Sequence, residues 1–261
     1  MPALYAGDHA FIFQNDDRRI VFAIPFEGRF TLIGTTDVPF ESDASEVKAS
    51  SAEIGYLCRC VSRYFRKPVH PGDVIWSYAG VRALFDDGAN DPSAVTRDYV
   101  LDLDAPPGEA PALSIFGGKI TTFRSLAEHA LAGLRPFFPH MGPAWTARAK
   151  LPGGDFEHED FVAFAQSVQQ RWPFIEEQTA IRLARAYGTR VERILGSALS
   201  MADLGRDFGC GLTEVELGYL TGNEWARTAD DVLWRRSKLG MHLSKFQAEA
   251  VAIYYGEKYA A

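Results

Sequence analysis

Cysteine is scarce in this chain. Cys58, Cys60 and Cys210 are the only three in 261 residues, and an odd number with one C-x-C spacing excludes a disulfide framework and a paired-cysteine zinc site. Positive charge is also in deficit, with 27 Lys and Arg against 34 Asp and Glu and a formal charge of −7. A general binder of phosphate backbones is excluded, and nucleic acid is not expected as a partner. No run of eighteen apolar residues occurs, and the opening MPALYAGDHAFIFQ has neither the basic start nor the apolar stretch of an export signal. The six histidines form no HxxxH or HExxH, so no metal site is expected, and GxSxG, GxGxxG and Walker A strings are missing. This composition fits a cytoplasmic protein of a reducing compartment.

The chain is 47% hydrophobic and 23% charged, with 23 glycines and 14 prolines, a balance that supports a packed, turn-rich, partly β architecture. Residues 9–36 read as a meander: HAFIFQ, the turn NDDR, RIVFAIPF, the turn EGR, and FTLIGTTD. Ser50 with Glu53 three residues later is a capping-box pattern, and Ile54, Leu57, Cys58, Val61 and Phe65 follow at helical spacing, predicting a helix over about 51–66. Cys58 is thereby read as core. Residues 74–85 and 94–103 read as two strands around the acidic loop DDGANDPS, and ALSIF as a third, feeding through GGK into the helix TTFRSLAEHALAGL. After about Met141 helical patterns dominate, with Gly188 and Gly196 at C-cap positions and Ser244 with Gln247 as a second capping box. The expected fold is therefore α+β: an antiparallel sheet with flanking helices over 1–144, then an all-helical domain over 145–261.

Three places could carry chemistry. If the strands flanking DDGANDPS pair about the loop centre, Arg82 faces Arg97, and two like charges directly opposite repel unless an anion sits between them. Alternatively the register shifts and each arginine pairs with a carboxylate such as Asp98. At Gly117-Gly118-Lys119 a strand passes into a helix, where glycines permit close approach, a helix N-terminus offers amide donors and Lys119 adds a cation; such a turn can also be only a turn. At Gly34-Thr35-Thr36-Asp37, Asp37 could cap a turn or orient a basic residue. Asp230, Asp231, Arg235 and Arg236 fit i,i+4 pairs on a solvated helix face.

The strings RIVFAIPFEGRFTLIGTTD, WSYAGVRALFDDGANDPSAVTRDYVLDL, IFGGKITTFRSLAEHAL and GPAWTARAKLPGGDF together resemble the C-terminal half of the FAD-dependent, respiratory glycerol-3-phosphate dehydrogenases, flavoproteins of the amino-acid-oxidase-like superfamily. The resemblance implies oxidation of sn-glycerol 3-phosphate to dihydroxyacetone phosphate in glycerol metabolism, with FAD as cofactor, a quinone as acceptor and a parent enzyme peripheral on the cytoplasmic membrane. It implies that Arg82, Arg97 and Lys119 lie near the substrate and its phosphate, Arg82 near the reacting hydroxyl, and that Gly117, Gly118, Lys119, Ile120 and Thr121 approach the flavin. The chain departs from the family's GVRPL at Ala83. The family's upstream dinucleotide-binding unit is not among these residues, so a portion of a longer parent, inactive alone, is expected. The alternative is a non-catalytic helical interaction module, for instance of a homodimer, with the sheet as scaffold.

Overall fold

The computed structural model describes residues 1–82, 85, 98–156 and 160–259, and contacts divide the chain into two units, Met1–Ala149 and Lys150–Ala261. In the first unit β1 (Phe11–Gln14), β2 (Ile20–Phe26) and β3 (Phe30–Gly34) form the expected antiparallel meander, in the order β1-β2-β3. Its register puts Phe13 opposite Val21 and Ala23 opposite both Phe11 and Ile33. Because side chains alternate across a strand, these residues share one face, and Phe13, Val21 and Ala23 on it are buried.

The cover on that face is α1 (Ser51–Ser62), four residues shorter than the expected helix. Its capping box forms in full: Ser50 Oγ accepts from the Glu53 amide and Glu53 accepts from the Ser50 amide. Cys58, Cys60 and Val61 of α1 are buried in the same cluster as Phe13, Val21 and Ala23. Both cysteines, and not Cys58 alone, are thus apolar packing groups.

The expected strand over 74–85 is not formed. Val74–Arg82 carries no ladder among the described residues, and β4 (Val100–Asp104) instead pairs antiparallel with β5 (Ala112–Phe116), Val100 opposite Phe116. The reason is visible in the packing: consecutive residues from Trp76 to Arg82 line one cleft, whereas a pleated strand would send every second side chain to the other side. The acidic loop and Arg97 lie outside the described residues, so the facing of Arg82 and Arg97 does too. After β5 the chain makes a short 3-10 turn at Ile120–Thr122 before α2 (Phe123–Leu134). The helix starts later than the sequence suggests, and Lys119 precedes the 3-10 turn rather than an α-helix N-terminus.

The second unit is helical: α3 (Phe161–Arg171), α4 (Glu177–Tyr187), α5 (Val191–Leu195), α6 (Glu214–Asn223), a π-helical turn at Asp231–Arg236 and α7 (Lys245–Tyr259). Val191, Leu204, Leu212, Leu217, Leu220, Val232 and Val251 fill its core. The Gln247 side chain accepts from the Ser244 amide and Ser244 Oγ from the Gln247 amide, as expected of a capping box. Asp231 pairs with Arg235 at 2.8 Å across one turn and also accepts from the amides of Arg227 and Thr228. Gly188 ends α4 at φ +54°, and a Cβ there would meet the Gly153 carbonyl oxygen at 1.8 Å. Only glycine lets the LPGG turn close onto that helix end.

Within this apolar unit sits one charged cluster. Arg182 of α4 donates through Nη1 and Nη2 to both carboxylate oxygens of Glu216 of α6, each at 2.7 Å, and through Nη2 to the Gly211 carbonyl at 2.8 Å. The Tyr187 hydroxyl donates to the same carboxylate at 2.6 Å. Burial and the Glu216 charge push the Tyr187 hydroxyl pKa up. Glu216 is 1% exposed, and removing one member of such a pair leaves a largely buried partner without its counter-charge. Glu216→Ala is expected to cost about 3–5 kcal/mol in urea unfolding of the chain; a loss below about 1 kcal/mol would mean that Arg182 finds another counter-charge.

On the surface of this unit Lys258 donates to Glu214 at 2.6 Å and the Arg206 amide to it at 3.3 Å, holding its carboxyl down at about 2 against an ordinary 4.5. A depressed acid stabilises the fold above its unfolded pKa, and this contribution disappears as protons bind between about pH 4.5 and 2. Acid titration followed by circular dichroism should show Glu214→Gln losing stability less steeply than the parent across that window.

Candidate functional site

The face of the β1–β3 sheet opposite α1 is apolar as well. Ile12, Phe22, Ile24 and Leu32 alternate with the buried set, and Ile12 is 63% exposed. Phe22, Ile24 and Leu32 line a cleft of about 1020 Å³ that also reaches Ile33, Leu57 and Cys58 on the α1 side of the sheet. Its sides are the segment 34–41 after β3, the first turns of α1, and the strap 74–82. On the strap Trp76 stacks on Tyr78 with ring centroids 4.9 Å apart and planes 26° from parallel. A cleft with aromatic walls and a few placed polar groups is the general form of a small-molecule site.

The polar groups converge at one corner. Arg82 donates through Nη1 to Asp37 at 2.8 Å. Next to Asp37, the Thr36 hydroxyl donates to Glu53 Oε1 at 2.7 Å, while Oε2 of the same carboxylate takes the Ser50 amide and hydroxyl. The Thr36 hydrogen bond, with those from Ser50, holds the Glu53 carboxyl below its usual range. Thr36, Asp37, Glu53 and Arg82 all line the cleft. Arg82 pairs with a carboxylate, and that carboxylate is Asp37 rather than Asp98; the facing of Arg82 to Arg97 lies outside the described residues. The bond uses one of five N–H donors in the guanidinium fork.

The glycine turn is a separate feature. Gly117 and Gly118 lie at φ +68° and +102°. Lys119 pairs with Asp98 at 3.6 Å and is not among the residues lining the cleft. Thr121 is exposed and Ile120 is 87% exposed, a large apolar side chain held in the open. The link to the cleft runs through aromatic contact, since Phe85 on the cleft wall lies 5.7 Å from Phe116, the residue before Gly117. The structure therefore places Arg82 in the cleft and Lys119, Gly117, Gly118, Ile120 and Thr121 on the turn. Sequence reasoning missed the Trp76–Tyr78 wall, whose alternation looked like a strand, and the second role of Glu53, whose capping pattern was sufficient reason for it.

Residues 2–124 match the family described as FAD dependent oxidoreductase, and residues 144–254 match the one described as C-terminal domain of alpha-glycerophosphate oxidase. The glycerol-3-phosphate dehydrogenase of Pseudomonas aeruginosa is 49% identical over 97% of this chain and 49% of its own length. The aerobic glycerol-3-phosphate dehydrogenase of Escherichia coli K12 is 46% identical over 97% of this chain and 50% of its own. The D-erythritol 1-phosphate dehydrogenase of Brucella abortus is 44% identical over 98% and 51%. The chain is thus similar, over nearly all its residues, to FAD-dependent oxidoreductases of polyol phosphates, and it spans about half the length of the curated relatives it matches.

The geometry of the turn can be tested directly. A Cβ on Gly118 would lie 3.1 Å from Leu126 Cδ1 and 3.4 Å from Tyr99 Cβ, at a φ that L side chains rarely adopt. Gly118→Ala is expected to cost about 1–3 kcal/mol, read as a lowered unfolding midpoint, whereas an unchanged midpoint would show that the turn can relax.

Proposed function

We propose that the chain forms the substrate-phosphate part of a flavoprotein dehydrogenase that oxidises sn-glycerol 3-phosphate to dihydroxyacetone phosphate, with a quinone as final acceptor at the cytoplasmic face of a membrane. The observation that carries this reading is Arg82 on the wall of a cleft lined in part by the β1–β3 sheet. A guanidinium with donors beyond the one given to Asp37 suits a phosphate or a developing alkoxide. Arg97 and Lys119 are assigned to the same anion by the resemblance alone.

FAD, when bound, supplies the hydride acceptor. The exposed turn fits such a group: two glycines in the left-handed region leave the backbone without side chains on one side, and Ile120 offers an uncovered apolar surface beside them. Gly117, Gly118, Lys119, Ile120 and Thr121 would hold the flavin edge. Arg82 would bind and orient the substrate so that its C2 hydrogen faces the ring, a positioning effect worth several kcal/mol, and the aromatic wall at Trp76 and Tyr78 would exclude water. The names of the relatives share a polyol phosphomonoester, which supports a terminal phosphate as the common handle. No described helix is long and apolar enough to cross a membrane.

The test is binding of sn-glycerol 3-phosphate by calorimetry. Arg82→Ala should weaken it by about ten-fold or more, the scale of one charge-assisted contact, and an unchanged affinity removes Arg82 from the site. D-erythritol 1-phosphate, run in parallel, decides which polyol the cleft prefers.

A second reading, a helical module that pairs with a second copy, draws on Leu199, Trp225 and Phe246, which are 86%, 77% and 80% exposed on the helical unit. Sedimentation of the chain at micromolar concentration separates the two, because a stable monomer removes this second reading and leaves the first.

A further inference from the structure

We propose that Asp37 is the positioning residue for Arg82 and that Glu53, acting through Thr36, fixes Asp37 in place; the proposal rests on Arg82 being the anion-binding arginine. The four side chains come from three separated parts of the chain. Thr36 and Asp37 follow β3, Glu53 sits in the first turn of α1, and Arg82 is near the end of the strap. They are joined in order, Glu53 to Thr36 at 2.7 Å and Asp37 to Arg82 at 2.8 Å, with adjacent backbone linking Thr36 and Asp37.

Each link has a physical reason. Glu53 is the most rigid member, because both its oxygens are used: one accepts from Thr36, the other from the Ser50 amide and hydroxyl that define the start of α1. A carboxylate so held is a fixed reference for the loop after β3. That loop carries Asp37, whose Oδ2 takes Arg82 Nη1 and so settles where the rest of the fork points. Arg82 needs such a partner, since the strap that bears it has no described ladder bonds to stiffen it.

Stability does not account for the pair. Arg82 and Asp37 are 50% and 55% exposed, and ion pairs that wet contribute little to folding. What the pair does is restrict a long side chain before a ligand arrives, so that the ordering cost is not met at binding. The opposite role is chemically possible: a carboxylate beside an arginine can simply compete with an incoming anion. The two roles differ in sign, and that makes them separable.

Calorimetric titration of the 261-residue chain with sn-glycerol 3-phosphate is the experiment, with thermal melting of every variant alongside. Asp37→Asn is expected to weaken binding about ten-fold, Asp37→Glu to restore part of the loss, and Thr36→Val to weaken it by a smaller factor that Thr36→Ser recovers, all with melting temperatures near the parent's. Tighter or unchanged binding in Asp37→Asn, while Arg82→Ala weakens it, overturns the proposal and leaves Asp37 a competing counter-ion. If Arg82→Ala changes nothing, or the parent chain does not bind, it is the reading of Arg82 as substrate arginine that has failed. The relay is then decided without ligand, by the side-chain 15N resonance of Arg82 identified through its loss in Arg82→Lys. A resonance shifted by both Asp37→Asn and Thr36→Val supports the relay, and one indifferent to either overturns it.

Discussion

A three-stranded meander whose strands are apolar on both faces must be covered twice, and the first unit is organised by that requirement. One cover is α1, placed by its capping box and packed through Cys58, Cys60 and Val61. The other face contributes Phe22, Ile24 and Leu32 to the lining of the cleft, which Ile33, Leu57 and Cys58 of the α1 side share. An antiparallel sheet standing against water would carry polar residues there. The apolar residues mark that face as a surface built to meet something other than solvent, and the strap, the segment after β3 and the start of α1 gather around it.

The site inherits its precision from the same helix. Glu53 is at once the N3 residue that starts α1 and the acceptor for Thr36, so the element that closes one side of the sheet also positions the polar corner of the cleft. In the helical unit the comparable device is Arg182, Glu216 and Tyr187, which tie α4 to α6 through a carboxylate with almost no exposure. Their chemistry is alike, but the burial differs: the wet pair at Arg82 can exchange partners with a ligand, whereas the dry one cannot without a large cost.

Much of this was legible in the residues. The hairpins declare themselves by alternation and by Asn, Asp and Gly at the turns, and α1 and α7 by Ser paired with Glu53 and Gln247. The strap over 74–82 was misread because alternating aromatic and small residues suit a cleft wall as well as a pleat. The late start of α2 was hidden because Thr121 and Thr122 suit a helix cap and a 3-10 turn equally. Nothing local announces that Arg182 will meet Glu216, 34 residues on, because a buried ion pair depends on which helices the fold brings together. Asp37 was legible only as a choice between capping and orienting, and its bond to Arg82 shows that it meets a basic residue.

The three thiols are divided between the units in a useful way. Cys58 and Cys60 are buried under the sheet, while Cys210 is exposed in the helical unit, beside the Gly211 carbonyl that Arg182 holds. A thiol reagent therefore meets Cys210 at once and the two buried thiols only as the first unit opens around them. Labelling rates read separately at the two kinds of site would report the opening of each unit on its own clock, with no engineered residue, and would show whether a ligand in the cleft slows the breathing of the sheet.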